Sequence, residues 1–348
     1  MKRLLKWVFG AVLGLVILLA LPIGYVELMC RGEALTQAES QFFPEPKDRR
    51  PEARTYLTYP EWHIVYAYDD YATTIEAGAP HDFPYLRSIW GFWASLCALS
   101  ERADTLGEAG TDAKLTIYTI GASFTLEMTA KAIYEETVGR LFSVIGPPAS
   151  PSDQIEEKMA REYATFLQQI PWYQFDFDEW TSRLWATPAS GPRDWERRIA
   201  LGGEWKAKSG YAKLIAKAAA GLGPDALRML VATTSVAMPD RDDIERVSTN
   251  GAIAIYDVPR YRTFTVLAQN FAQDGGNFVE IAGNDDILVT LRATQAPSLP
   301  PDVEIIYDSR LANSEERRFL VAVKVTDLAA LIRQISDQRT ILEHIYDY

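Results

Sequence analysis

The side chains best suited to metal binding are scarce, because the 348-residue chain has three histidines and two cysteines. A possible ligand set is Glu61, His63, Asp70 and His81, while His344 lies far along the chain. On a helix, Glu61 and His63 are about 200° apart, and His63 and Asp70 are about 10 Å apart along the axis. One ion cannot reach across such distances. We therefore expect no metal and no cofactor, and ordinary surface or hydrogen-bonded histidines.

Acid–base chemistry could instead use carboxylates, which occur as close pairs at three places. The pairs are Asp69/Asp70, Asp176/Asp178 and Asp285/Asp286. Glycoside hydrolysis needs only two carboxyl groups at a suitable separation. However, the third pair falls in a predicted tight turn, where Asp is favoured for backbone reasons. The sequence contains no GxSxG motif, and it identifies no catalytic residue.

Aromatic and acidic residues are interleaved between positions 172 and 185. Aromatic rings next to carboxylates can bind sugars, and amphipathic rings can also lie at a membrane surface. The candidate ligand or surface-contact residues are therefore Trp172, Asp176, Asp178 and Trp180. The alternative is a packed corner between two helices.

A helix predicted over 193–217 reverses the charge of the chain locally, with seven basic and three acidic residues. Lys206, Lys213 and Lys217 follow one another at helical spacing and share a face. Basic helices that contain Trp can lie on anionic lipid, so these lysines are candidates for membrane-surface contact. The alternative is a solvated face, or one paired with the acidic remainder of the chain.

The sequence predicts a membrane anchor before these elements, since residues 7–26 form a 20-residue run without charge. As a helix, this run is about 30 Å long, the thickness of the hydrocarbon core of a bilayer. Three basic residues precede the run, and Trp7 and Tyr25 lie at its ends. The positive-inside rule places the N-terminus in the cytoplasm. We expect an uncleaved single-pass anchor, in a bacterium an inner-membrane one, with the bulk facing the periplasm.

The charge of the chain restricts its partners. The formal net charge is −12, and the first 30 residues contribute three basic and one acidic residue, so −14 remains beyond the anchor. Nucleic acid is therefore an unsuitable partner, since it requires a basic surface. The expected partners are the lipid bilayer and an unknown protein. Gly10 and Gly14 form a GxxxG motif, through which two anchors could pack as a homodimer.

The two cysteines, Cys30 and Cys97, do not reveal their state from spacing alone. An oxidising compartment would permit a disulfide. Cys97 falls on an apolar helical stripe with Trp90 and Trp93. This position favours a buried free thiol, while pairing remains open.

The pattern along the chain predicts an α+β protein with four parts. We assign residues 1–30 to the transmembrane anchor and its flanks, and 31–57 to a polar tether. We assign 58–223 to a mainly helical region and 224–348 to an α+β domain. Within the helical region, residues 115–126 lack charge but are too few to span a bilayer. They predict a buried helix, or one that lies against the membrane.

Local signals predict several element boundaries. Thr58 and Glu61 have the spacing of a capping box, and Ser150 opens another amphipathic helix. Beyond residue 224 the order of strands and helices resembles a ferredoxin-like layer with added strands. Gly283-Asn284-Asp285 has turn residues typical of a hairpin, and we see no internal repeat.

The sequence leaves the function undecided between two classes. We expect a membrane-anchored extracytoplasmic binding or assembly protein that is not an enzyme. The alternative is an anchored hydrolase that acts on envelope glycan or lipid through Asp and Glu residues. A carboxylate-lined cleft would favour the hydrolase, and a flat apolar surface would favour assembly.

Overall fold

The computed structural model of the protein describes residues 2–32, 42–43, 45, 48–106, 110–146, 149–219, 227–336 and 338–346. It has a mixed α+β fold, in which a layer of helices precedes two antiparallel sheets of four strands each. The fold class therefore agrees with the α+β prediction in its coarse form.

The helices up to residue 219 form one layer around an aromatic core. Their bounds are α1 (Lys2–Met29), α2 (Glu52–Tyr56), α3 (Tyr59–Ala77), α4 (Tyr85–Thr105), α5 (Thr111–Tyr134), α6 (Arg140–Ile145), α7 (Pro151–Leu167), α8 (Phe177–Ala186) and α9 (Pro192–Ala219). A π-helical turn, Glu135–Gly139, joins α5 to α6. The layer is centred on α3, which packs against α4, α5 and α7.

The end of α1 is part of this layer. Val26 and Cys30 are buried in the same core as α4, and Cys30 forms a disulfide with Cys97 of α4. The expectation of a free thiol at Cys97 is therefore wrong, because the fold brings together two cysteines that are 67 residues apart. Among the described residues, we find no helix with both the length and the apolar character that crossing a membrane requires.

The segment that follows α1 includes α2, which lies within the residues expected to form a tether. Glu52, Ala53 and Tyr56 of α2 are buried. The predicted capping box at Thr58 is wrong: the Thr58 hydroxyl donates to the Arg54 carbonyl, because α2 leads directly into α3. The predicted start of α7 at Ser150 is confirmed, and there Ser150 and Asp153 bond reciprocally as a capping box.

The C-terminal part contains two copies of one topology. Unit 1 consists of β1 (Arg228–Thr234), β2 (Glu245–Asn250), β3 (Ile253–Pro259), α10 (Tyr261–Gln273) and β4 (Asn277–Ile281). Unit 2 consists of β5 (Asp286–Ala293), β6 (Glu304–Arg310), β7 (Arg317–Lys324), α11 (Val325–Ser336) and β8 (Ile341–Tyr346). Their sheets have the orders β2-β3-β1-β4 and β6-β7-β5-β8, so each strand has the same neighbours in both units.

The agreement extends to irregularities of register. The pairing of the first strand with the last shifts at Ala232/Thr233 in unit 1 and at Thr290/Leu291 in unit 2. The sequence predicted no internal repeat and a single ferredoxin-like layer. The structure instead contains a duplicated βββαβ unit. The predicted hairpin at residues 283–285 is also wrong, because β4 and β5 belong to different sheets.

The two units share one core, and the second sheet has a second buried face. Helices α10 and α11 contact each other, and each contacts the last strand of the other unit. Ile287, Val289 and Leu291 of β5 point into this shared core, whereas Leu288 belongs to the core of the helical layer. Because successive side chains of β5 point to opposite faces of the sheet, this strand contributes to both cores and connects the helical layer to the α+β part.

Candidate functional site

A cluster of carboxylates lies where α2 meets the connection between the two units. Helix α2 places Glu52 over this connection, and Glu52 Oε1 accepts hydrogen bonds from the amides of Asp285 (2.8 Å) and Asp286 (2.9 Å). One turn later, the Thr55 hydroxyl donates to Asn284 Oδ1 at 3.2 Å. These contacts fix Glu52 and the connection relative to each other.

The carboxylates of the cluster are close enough to act together. One oxygen from each of Glu52, Asp285 and Asp286 lies within 4.8 Å of the others. Asp286 lies opposite Lys324 in the β5–β7 register. The Lys324 ammonium group is 2.5 Å from Asp286 Oδ2 and 3.7 Å from Asp285 Oδ2. Glu52 and Asp286 are buried, while Asp285 is exposed.

Burial separates the pKa values of the two neighbouring carboxyl groups. Desolvation, followed by the hydrogen bond with Asp285, raises the pKa of Glu52 to about 8. The same hydrogen bond lowers the pKa of Asp285 below its ordinary value. At neutral pH the pair therefore holds one proton, which is located mainly on Glu52.

Next to this cluster is a cleft of about 320 Å³ with mostly acidic walls. Its lining residues are Arg102, Asp286, Asp302, Glu304, Ala322, Lys324 and Asp327. Burial raises the pKa of Tyr56, and a hydrogen bond with the Arg102 side chain opposes this shift. The arrangement can hold a cation, or it can exchange a proton between two carboxyl groups.

The sequence pointed to only part of this site. Of the three carboxylate pairs, the structure places Asp285/Asp286 in the cluster. Asp69 instead pairs with Arg161, and Asp70 accepts from the Ala312 amide. Glu52 was missed because its neighbourhood is rich in proline and charge. The available signal was Pro51 followed by an acidic residue, which is typical of a helix start.

The predicted aromatic and acidic site divides between interior and surface. Trp180 is buried and donates from its ring to Glu162, whereas Asp176 caps α8 by accepting from the Glu179 amide. Asp178 is exposed and pairs with Lys213 at 2.6 Å. Trp172 packs against Tyr211, with ring centroids 5.2 Å apart. Trp180 also borders an open groove of about 750 Å³ between α7 and α8.

The basic helix α9 has an interior side and an exterior side. Arg193, Arg197, Arg198 and Lys208 are largely enclosed by the layer. Arg197 binds Glu135 of the π-helical turn and Glu156 of α7. Lys206, Lys213 and Lys217, the three predicted lipid contacts, are exposed on the exterior side.

The histidines are distributed over separate environments. The ring of His63 bonds the Ser88 carbonyl at 2.9 Å, and burial lowers its pKa to about 4. His344 stacks on Trp62, and burial lowers its pKa to about 3. His81 lies 3.9 Å from Asp82. Burial raises the pKa of Asp70 to about 6. Among the described residues, the histidines join no cluster that could hold a metal.

Comparison with known proteins adds no relative. A scan against protein families, a search of curated proteins and a search of solved structures each find no match. The functional argument therefore depends on the chain's own residues.

Proposed function

We propose that the chain is a single-pass membrane protein whose body lies on the extracytoplasmic surface and acts there as a binding or assembly protein. The anchor is supported by the uncharged run at residues 7–26 and the basic residues before it. The Cys30–Cys97 disulfide supports an oxidising compartment, in a bacterium the periplasm.

The observation that carries the proposal is an exposed apolar face along α5, the π-helical turn and α6, interrupted by the exposed Glu136–Arg140 ion pair. Its large exposed residues are Leu115, Leu126, Ile133, Val138, Leu141, Val144 and Ile145. Leu115, Leu126 and Ile133 fall within about 20° of one another around the helix axis, and the face is about 45 Å long. An apolar surface of this extent is unusual on a soluble monomer and is typical of an interaction surface.

Two charged residues in the middle of α5 are directed away from this face. Glu127 pairs with Lys208 of α9 at 2.7 Å, and Lys131 pairs with Glu204 of α9 at 3.1 Å. An amphipathic helix with its polar side bound to protein can place its apolar side in the headgroup region of a bilayer.

The bilayer is the proposed occupant because the face begins beside the anchor. The Tyr118 hydroxyl donates to Glu27 at the end of α1, at 2.5 Å. Tyr118 lies one helical turn from Leu115, where the apolar face starts. The disulfide between Cys30 and Cys97 holds this end of α1 on the helical layer. A membrane-embedded α1 would therefore bring α5 to the same membrane surface.

Topology is tested first. A reporter that is active only outside the cytoplasm, fused after Tyr348, should be active. Cys30 and Cys97 should resist alkylation in intact cells until a reductant is added. Activity restricted to a cytoplasmic reporter would overturn the proposed orientation.

Contact with lipid is tested on the full chain in vesicles that contain a photoreactive lipid. We expect crosslinks in α5 and α6 as well as in α1. Leu126→Lys and Ile133→Lys should reduce the crosslinks in α5, because an ammonium group is costly within the apolar part of a bilayer. Val247→Lys, on exposed β2, is the matched control. Crosslinks confined to α1 would contradict the lipid contact.

Two further contacts remain proposals on the same membrane surface. Gly10 and Gly14 have open space where a Cβ would lie, so a second α1 could approach them as a homodimer. Lys206, Lys213 and Lys217 are exposed and could bind anionic lipid. Purification of the native protein from membranes would identify any protein partner.

An anchored hydrolase of envelope glycan or lipid is the alternative, and the carboxylate-lined cleft favours it. Its test is hydrolysis of isolated envelope glycan and lipid by the purified chain. The Asp286→Asn variant should lose this activity while remaining folded. Equal rates for the variant and the unchanged protein would exclude the cleft as the active site.

A further inference from the structure

We propose that Leu86 and Trp90, in the first two turns of α4, insert into the same bilayer as α1 and form a second point of membrane contact. The inference rests on the proposed membrane anchor and extends it to a helix outside the apolar face of α5 and α6. Leu86 and Trp90 are each 71% exposed. Because they are four residues apart on one helix, they form a continuous patch rather than two isolated apolar residues.

The patch is the uncovered half of an apolar stripe on α4. The stripe consists of Leu86, Trp90, Trp93 and Cys97, which fall within about 60° of one another around the helix axis. Its second half is covered, since Trp93 lies in the core of the helical layer and Cys97 is bonded to Cys30 at the end of α1. An apolar stripe on a helix normally faces an apolar environment. The first half of this stripe therefore requires an environment that the helical layer does not supply.

The bilayer is the proposed occupant because the stripe continues from the junction between α4 and α1. Cys30 lies beside Cys97, and a Cβ on Gly32 would meet the carbonyl of Glu101. The chain therefore runs toward the C-terminus of α4 as it leaves α1, which places the preceding turns of α1 toward the N-terminal half of α4. The two exposed side chains lie about 10–17 Å from Cys97 along the α4 axis. This distance keeps them near the level at which α1 enters the membrane.

The residue types of the patch fit the headgroup layer of a phospholipid bilayer. Tryptophan favours the boundary between water and hydrocarbon, where its ring is in an apolar environment and its N–H reaches water. Arg87 is exposed and precedes Trp90 by three residues, so the two are neighbours on the helix surface. Its guanidinium group can bind a lipid phosphate while its apolar stem lies along the patch.

The experiment uses the full chain in phospholipid vesicles, with one introduced cysteine that carries an environment-sensitive fluorophore. Leu86→Cys reports on the patch, and Val16→Cys reports on the middle of the uncharged run in α1. Val247→Cys, on exposed β2, is the matched control. Under non-reducing conditions the disulfide between Cys30 and Cys97 keeps the native cysteines unlabelled.

The expected result depends on the depth of the quencher. A quencher on the lipid headgroups should lower the fluorescence of the Leu86 label about twofold or more and leave the Val247 label nearly unchanged. A quencher deep in the acyl chains should act more strongly on the Val16 label, because interfacial side chains penetrate only about 5–10 Å. Trp90→Ser should reduce the quenching of the Leu86 label. Arg87→Glu should also reduce it, most strongly in vesicles that contain anionic lipid.

The three labels separate failure of this contact from failure of the anchor. Quenching at Val16 without quenching at Leu86 would overturn the second contact and leave the anchor intact. Absence of quenching at both positions would contradict the anchor and the second contact together. Equal quenching at Leu86 and Val247 would overturn the proposal, because the fluorophore itself would then bind lipid. A blue-shifted Leu86 label that neither quencher reaches would also overturn it, because protein rather than lipid would cover the patch.

Discussion

The two βββαβ units have the same topology but different surroundings, and this difference determines where polar residues can be buried. The outer face of the unit 2 sheet is covered by the helical layer, where Leu288 and Tyr346 are inaccessible. In unit 1, all six residues of β2 are exposed, and Leu230 is only half-buried. Topology alone therefore does not determine function; the covering layer creates the environment of unit 2.

The candidate site follows from the same asymmetry. At the start of the first strand, unit 2 pairs Asp286 with Lys324, whereas unit 1 pairs Arg228 with Pro259. The acidic cluster also needs Glu52 from α2, and α2 contacts β5. Unit 1 supplies neither the carboxylate nor the ammonium group at the corresponding positions. Within the described residues, the duplicated fold therefore carries one acidic cluster of this kind, at the junction between the units.

The largest expected effect comes from breaking a buried ion pair in unit 2. Arg318 binds Glu343 through two bonds of 2.6 and 2.8 Å and lies 3.9 Å from the centroid of the Tyr66 ring. Arg318→Met should lower the free energy of unfolding by about 3–5 kcal/mol, because Glu343 loses both of these hydrogen bonds in a largely buried setting. Denaturant unfolding of the full chain in detergent measures the change.

The matched variant in unit 1 is Arg228→Met. Arg228 pairs with Asp257 at 3.1 Å, but both side chains remain partly exposed. The loss should be about 1 kcal/mol or less, because solvent screens the pair. Similar losses in both units would show that the helical layer does not change the environment of unit 2 in the proposed way.

A smaller effect is expected from two leucines at corresponding positions of the first strands. Leu288 is fully buried against the helical layer, and Leu230 is half-buried. Leu288→Ala should cost about 2–5 kcal/mol of unfolding free energy. Leu230→Ala should cost about 1 kcal/mol, because less apolar area is lost. A greater loss for Leu230→Ala, measured in the same denaturant series, would indicate that something covers the outer face of unit 1.

Local pattern predicts much of this fold. Strand β8 begins and ends at the residues that alternation indicates, and α7 begins directly after Ser150, the predicted helix start. In each case the signal lies in residues that are close in sequence: alternating apolar and polar residues for the strand, and an N-terminal cap residue for the helix. The same reasoning misses β2, because a strand with all its residues exposed lacks the alternation of apolar and polar positions.

The duplication and the site could not be predicted in the same way. Phe264 and Phe271 of α10 correspond to Leu328 and Ile335 of α11, so the units conserve burial rather than residue identity. Turn residues at 283–285 fit either a hairpin or a link between sheets. The cluster joins Glu52 to Asp285 across more than half of the chain, a contact that sequence spacing does not encode.

The pH dependence of stability tests another polar residue buried in unit 2. Burial lowers the pKa of His344 to about 3, and the charges of Arg260 and Arg262 act in the same direction. An unfolded histidine has a pKa of about 6.5. Between these values the unfolded chain binds a proton that the folded chain does not. The free energy of unfolding should therefore fall as pH decreases below about 6.5, by up to about 1.4 kcal/mol per pH unit for this group.

In the His344→Gln variant, the free energy of unfolding should fall less steeply as pH decreases, because unfolding takes up one proton fewer. His63, whose pKa is also lowered by burial, remains in the variant and retains its own contribution. Unfolding curves for both proteins at several pH values between 5 and 7 provide the comparison. Equal slopes would mean that His344 is accessible to protons in the folded state.

The smallest effect is expected at the bulges of the second strands. Val247 and Ile306 are the residues that the register shifts leave unpaired in β2 and β6. Val247 is 53% exposed, whereas Ile306 packs against the core of the helical layer. Val247→Lys should change the free energy of unfolding by about 0.5 kcal/mol or less, as at other exposed positions. Ile306→Lys should cost about 1–2 kcal/mol, since it loses apolar contacts while its ammonium group can still reach water. If Val247→Lys proves the more destabilising in parallel denaturant titrations, β2 is covered in solution and the contrast between the units is smaller than proposed.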